Sequence, residues 1–124
     1  MIVLDTSLLI DSLTGPKHSG PVLLRVLASG ERLILPSQVV YEWLRGPRTP
    51  QELTVRERLF PAEFTIPFGE EEAAIAAMLY RTLRRPRGRE ADLAIAACAI
   101  RQDAPLWTLN PADFRDIPGL VLFS

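Results

Sequence analysis

Histidine, cysteine and lysine are nearly missing from this chain: His18, Cys98 and Lys17 occur once each in 124 residues. One histidine, set in a Gly/Pro/Lys/Ser loop and reading as a surface residue, does not make the imidazole-rich sites of most zinc hydrolases, and one cysteine does not make a thiolate cluster. A lone thiol also excludes a disulfide scaffold and fits a reducing compartment. Long apolar runs are missing too; the longest, Leu93 to Ile100, falls far short of the ~20 residues a membrane span needs. The opening Met-Ile-Val-Leu-Asp has neither the basic stretch nor the cleavage site of a secretion signal, so the expected location is the cytoplasm, away from membranes. No glycine-rich turn follows the first apolar run, which speaks against a dinucleotide-binding domain. Nor is there an Asp-x-Asp pair at that place, which weakens a phosphatase or receiver reading.

What is there is ordinary in amount and uneven in kind. Apolar residues make up 48% and charged residues 23%, enough for one globular domain over 1–124 and too apolar for a disordered chain. The net charge is −1, which taken whole argues against a nucleic-acid binder. Yet thirteen of the fourteen cations are arginine, the side chain whose planar fork grips phosphate.

Short apolar runs alternate with helical patterns. Residues 1–5 read as a buried strand, 6–13 and 20–28 as helices, 32–35 as a second strand and 37–45 as a helix. A helix is expected over 51–59 and an edge strand over 64–68, where Pro67 marks an edge or an end. Helices follow over 70–85 and 89–102, then a strand at 106–109, a helical turn at 111–115 and a last strand at 120–123. Glutamates open the 70–85 helix and arginines close it, as the helix dipole favours. Strands that are apolar throughout, separated by helices, predict a three-layer α/β/α sandwich with a short, mainly parallel central sheet. In such sheets ligands bind beyond the carboxyl ends of the strands, which singles out Asp5 and Asn110.

Three acids deserve weighing by position. Asp5 precedes a helix and is equally readable as its N-cap. Asp92 sits in the first turn of a helix that is apolar on all sides, where a carboxylate also gains from the helix dipole. Glu42 lies well off the centre of the Val39, Val40, Trp43 and Leu44 face, so periodicity alone places it in solvent. Together the three can do what none does singly. Converging at the sheet edge, they offer the oxygen ligands that Mg²⁺ or Mn²⁺ prefers, with Asn110 or Asp113 as a fourth oxygen.

The chain resembles the PIN-domain nucleases, and among them the VapC-type toxins of toxin–antitoxin pairs. The resemblance runs over nearly the whole length: MIVLDTSLLID, LPSQVVYEWLRG, GREADLAIAACAI and LWTLNPADFRDIPGL, in that order. It implies a Mg²⁺- or Mn²⁺-dependent endoribonuclease with Asp5, Glu42 and Asp92 as its acids, Asp5 and Asp92 being the principal metal ligands. Thr6 brings its hydroxyl near the site. Where the family often carries a fourth acid this chain has Asn110, with Asp113 three residues on, so one tightly held ion is expected. In-line attack of water on phosphorus would leave a 5′-phosphate. Setting the three acids aside leaves the rest of the chain at +2, and the near-neutral total then reads as an acidic centre beside an arginine-rich approach.

That approach is residues 81–89, RTLRRPRGR, with five arginines and no acid. Arg84 and Arg85 suit a helix C-terminus; Arg87 and Arg89, in the loop before Asp92, are the expected RNA contacts, with Arg45 and Arg48 a weaker pair. The resemblance further implies a cognate antitoxin laid over a hydrophobic groove, for which Trp43, Leu44, Leu59, Phe60 and Phe64 are candidate lining residues, and a homodimer. The competing reading is a PIN-like module that binds RNA or protein without cutting, and Asn110 in place of an acid is its best support.

Overall fold

A computed structural model describes all of residues 1–124. Its sheet has three strands, β1 (Ile2–Leu4), β2 (Leu33–Ile34) and β3 (Leu106–Trp107), in the order β2-β1-β3, all parallel. Parallel bridges Pro36–Ile66 and Leu106–Leu122 extend the sheet by one residue pair at each side. The helices are α1 (Thr6–Leu13), α2 (Gly20–Ala28), α3 (Ser37–Arg45), α4 (Pro50–Leu59), α5 (Glu70–Thr82) and α6 (Glu90–Arg101). Two 3₁₀ turns lie at Ala62–Phe64 and Pro111–Asp113. Ile2, Val3 and Leu4 are all buried although successive side chains face opposite ways. That is the mark of a strand covered on both faces, and the layers are α/β/α.

One core of 24 residues joins the elements, running from Ile2 to Ile117 and including Leu93, Ile95, Ala96, Cys98 and Ala99 of α6. The apolar-all-round pattern of α6 is thereby explained: it packs on α5, on α3 and on β1. No helix is long and apolar enough to cross a membrane.

Several boundaries differ from expectation. The 70–85 helix stops at Thr82: Thr82 turns its hydroxyl back to the Met78 carbonyl and Leu83 is already extended, φ −73°, ψ 149°. Arg84 and Arg85 therefore lie beyond the helix. The strands expected over 64–68 and 120–123 shrink to the single bridges at Ile66 and Leu122. Pro67 has no N–H to give to a ladder. The 106–109 strand is shortened because Leu109 and Asn110 give their N–H groups to side-chain hydroxyls instead of a neighbouring strand. The turn expected at 111–115 is a single 3₁₀ turn, Pro111–Asp113. Helix α4 begins one residue early, on Pro50, because Thr49 and Glu52 form a reciprocal capping box there.

Candidate metal centre and its surroundings

β1 is the central strand, and the chain leaves it at Asp5. The Asp5 N–H donates to the Trp107 carbonyl (2.9 Å), so Asp5 and Thr108 end adjacent strands side by side. Asp5 occupies the N-cap position of α1, φ −81°, ψ 157°, but its carboxylate caps nothing. It turns inward, 5% exposed. Oδ2 accepts from the Thr108 hydroxyl (2.7 Å) and the Ser7 hydroxyl (2.9 Å), while Oδ1 takes no hydrogen bond. A capping acid would have spent its oxygens on the helix N–H groups; this one is held from one side and left open on the other.

Glu42 is also drawn in. Its Oε1 accepts from the Thr6 hydroxyl at 2.8 Å and its Oε2 faces Arg45 at 3.4 Å, leaving the side chain 21% exposed. Periodicity placed it in solvent because the apolar stripe of α3 is narrower than its composition: only Val39 and Trp43 are buried. Thr6, one residue past the strand end, supplies the anchor that hydrophobicity alone does not reveal.

Asp92, in the first turn of α6, accepts no hydrogen bond. Its carboxyl is pushed up to about 6, first by burial and then by the charges of Asp5, Asp113 and Glu42, with Arg89 pulling the other way. Those three acids therefore lie close enough to act on it. Asp113 is a fourth oxygen donor in electrostatic reach of Asp92. Asn110 is exposed, and it contributes its backbone N–H to the Thr108 hydroxyl (3.0 Å) while its side chain makes no hydrogen bond.

Two residues that sequence reasoning passed over, Ser7 and Thr108, hold Asp5 in place. The Leu109 N–H in turn donates to the Ser7 hydroxyl at 3.1 Å. The only signal in the sequence was hydroxyl residues next to each candidate acid, which are common in loops. Thr108→Val should lower cleavage about tenfold, in the range for losing a group that orients a metal ligand, while Thr108→Ser keeps most of the activity. Cleavage kinetics on the two variants check this; equal rates for Val and wild type would remove Thr108 from the site.

The arginines are not equally free. Arg89 is a bidentate partner of Asp116, with both bonds at 2.8 Å, and also donates to the Asp113 carbonyl at 2.8 Å. The hydrogen bond to Asp116 raises the Arg89 guanidinium and, reciprocally, lowers the Asp116 carboxyl. Arg45 lies over the Tyr41 ring and beside Glu42, and Arg48 lies 4.3 Å from the Trp43 ring centroid. Arg84, Arg85 and Arg87 are exposed and form no ion pair. Of the expected groove residues, Trp43 and Phe60 are core, whereas Leu44 and Phe64 are each 53% exposed. A larger groove, about 1090 Å³, runs elsewhere, between α1–α2 and α4, lined by Leu13, Leu23, Leu24, Val55 and Leu59.

The donor set is all oxygen, with one open oxygen on Asp5 and an unbonded carboxylate on Asp92. That chemistry fits a hard divalent cation. No three acid, histidine or cysteine side chains stand close enough together to hold an ion as a ready-made group. An ion held by two protein carboxylates would keep several waters, as Mg²⁺ does.

A three-stranded parallel sheet whose central strand ends at Asp5 defines the fold, and a model described as PIN domain matches residues 2–120: the chain belongs to that family. Within it the chain is similar to ribonuclease VapC19 of Mycobacterium tuberculosis, 34% identical over 122 residues and 97% of each chain. A ribonuclease VapC of Rickettsia bellii is 41% identical over 61 residues, 48% of this chain and 46% of its own. Among solved structures, DNA-bound VapBC from Salmonella typhimurium superposes with a TM-score of 0.79 at 20% identity, covering 98% of this chain and 96% of the other. VapBC2 from Rickettsia felis, bound to a fragment of its promoter, gives 0.75 at 24% identity, covering 99% and 98%. At these identities the structural likeness speaks for the fold.

Proposed function

We propose that this chain is a metal-dependent endoribonuclease, the toxin of a toxin–antitoxin pair, which hydrolyses RNA phosphodiester bonds at the acid cluster. The observation that carries the reading is the Asp92 carboxyl: raised to about 6 by burial and by three neighbouring carboxylates, and without a hydrogen-bond donor of its own. A fold keeps such a repulsive group where something positive is meant to join it. The VapC relative matched over 97% of both chains supports the ribonuclease assignment.

Asp5, through its open oxygen, and Asp92 would hold Mg²⁺ or Mn²⁺, with Glu42 and Asp113 beside them. A divalent cation, when bound, supplies positive charge against the phosphoryl oxygens. The chain's own part is to keep Asp5 turned inward through Ser7 and Thr108, to fix Glu42 through Thr6, and to take the proton of the attacking water on a carboxylate of the cluster. Arg87, exposed and unpaired beyond α5, is the first cation for an incoming phosphate backbone, with Arg84 and Arg85 behind it. The α1–α2/α4 groove, with five aliphatic side chains in its lining, is a better seat for an antitoxin helix than the set around Trp43, where Trp43 and Phe60 are core. Cys98 is buried, which pushes its thiol up to about 12. It stays protonated and takes no part in the chemistry.

The purified chain is expected to cut single-stranded or looped RNA in Mg²⁺ or Mn²⁺, to stop on EDTA, and to leave ligatable 5′-phosphates. Sedimentation is expected to give twice the 13.8 kDa chain mass. Asn110, standing where the family often carries a fourth acid, is what favours the non-cutting module. RNA bound tightly but left intact in both metals decides for that module.

A further inference from the structure

We propose that Arg89 is a positioning residue: clamped to Asp116 and to the Asp113 carbonyl, it holds the 110–116 segment so that the Asp113 carboxylate stands opposite Asp92. This rests on the nuclease reading above and adds to it a device that ties two separate parts of the chain into one site.

The geometry is specific. Arg89 is the residue before α6, φ −110°, ψ 14°. Its N–H donates to the Pro86 carbonyl (3.0 Å) and its own carbonyl accepts from Leu93 (2.9 Å), so its backbone is fixed at the helix start. From there the side chain crosses 27 positions of sequence to Asp116 and 24 to Asp113. Three charge-assisted bonds at 2.8 Å, in a planar fork, set orientation as well as distance. Arg89 is the better sheltered of the two, 21% exposed against 56% for Asp116.

The segment needs such a clamp. Phe114 and Ile117 are buried and fix how deeply it sits. Asp113 itself is exposed, on a single 3₁₀ turn, and nothing bonds to its carboxylate. Packing on either side of an exposed residue does not decide where its side chain stands. A bond to the Asp113 carbonyl narrows it, because it fixes the peptide from which the side chain springs. The same bonds account for Arg89 not being a free phosphate grip: its fork is already filled by a carboxylate and a carbonyl.

Asp116 separates the two roles experimentally. It carries negative charge and is not a metal ligand here, so a phosphate-gripping Arg89 would be freed, and RNA bound more tightly, by Asp116→Asn. A positioning Arg89 loses its hold instead. Under the clamp, Asp116→Asn and Arg89→Ala each lower kcat by ~10–100-fold and weaken Mn²⁺ affinity by ~10-fold, with the KM for RNA and its salt dependence within about twofold of wild type. Arg89→Lys retains part of the activity, and the double variant is no worse than Arg89→Ala alone. Amide exchange is read on the same samples without RNA: the Asp113 and Phe114 amides lose protection in both single variants. Unchanged protection in Asp116→Asn, or a lowered KM in it together with a raised KM and a flatter salt slope in Arg89→Ala, overturns the proposal. A wild-type chain that neither binds Mn²⁺ nor cuts RNA overturns the nuclease reading instead, while the exchange data still decide whether the clamp exists.

Discussion

Asp92→Asn is expected to abolish RNA cleavage and, in the absence of metal, to make the protein more heat-stable. The first half follows from the site. Asp92 is one of the two carboxylates proposed as principal ligands of the cation, and losing that charge would remove stabilisation of several kcal/mol from the transition state. At about 4 kcal/mol the rate falls by ~10³-fold. The second half follows from what Asp92 lacks. It accepts no hydrogen bond, so the amide forfeits none. Arg89 favours the charged form; burial and the charges of Asp5, Asp113 and Glu42 oppose it. The net direction is upward, to about 6, so the opposing terms win. Partial exposure screens the effect to about 1 kcal/mol at neutral pH, or about 4 °C in Tm. Calorimetry in EDTA and cleavage in Mg²⁺ test the two halves separately. A variant that melts no higher than wild type removes the repulsion; a variant that cuts within threefold of wild type removes Asp92 from the chemistry.

The same residue shows which parts of this protein its sequence discloses. The layer architecture was legible because β1 and α6 are apolar all round, a pattern few environments other than burial on every side produce. Asp5 stood out at the end of that first strand, although a helix-capping role fitted the local residues as well. What separates the two roles is Thr108, more than a hundred positions away, and no local pattern contains it. Periodicity taken alone misplaces Glu42 for a related reason. Helical periodicity reports the average face of α3, whereas the placement of Glu42 rests on a single hydroxyl from α1. Arg89 reads as an approach cation in a run of arginines, and its ion pair with Asp116 is invisible there, because Asp116 sits in a loop with no periodicity to connect them. The α5 boundary failed through a competition that the arginine count does not register, the Thr82 hydroxyl taking the Met78 carbonyl and the chain turning extended before Arg84. Contacts set by neighbours in sequence were readable, and contacts set by single long-range hydrogen bonds were not.

The metal-free protein is expected to lose stability as the pH rises from about 4 to about 6, and Mn²⁺ to reverse that slope. The Asp92 carboxyl binds its proton more tightly in the folded chain, at about 6, than in the unfolded one, near 3.8. Protonation thus favours the fold. The contribution is complete below the unfolded value and is lost as pH climbs through the folded one. Asp116 works in the opposite sense: Arg89 lowers its carboxyl, so that pair helps the fold above the unfolded value and fails as pH falls. The raw melting curve mixes both, and the difference between wild type and Asp92→Asn isolates the first. That difference should grow between pH 4 and pH 6.5 to about 4 °C. A cation binds the carboxylate and competes with its proton, so metal affinity rises over the same range. With Mn²⁺ at 100 times its Kd the folded state gains about 2.7 kcal/mol, more than the repulsion costs. Wild type in Mn²⁺ should then melt above both its own metal-free form and the variant at pH 7, with the order of wild type and variant inverted on adding EDTA. Melting temperatures that ignore Mn²⁺ at pH 7 would falsify the acid cluster as a metal site, whatever the cleavage assay shows.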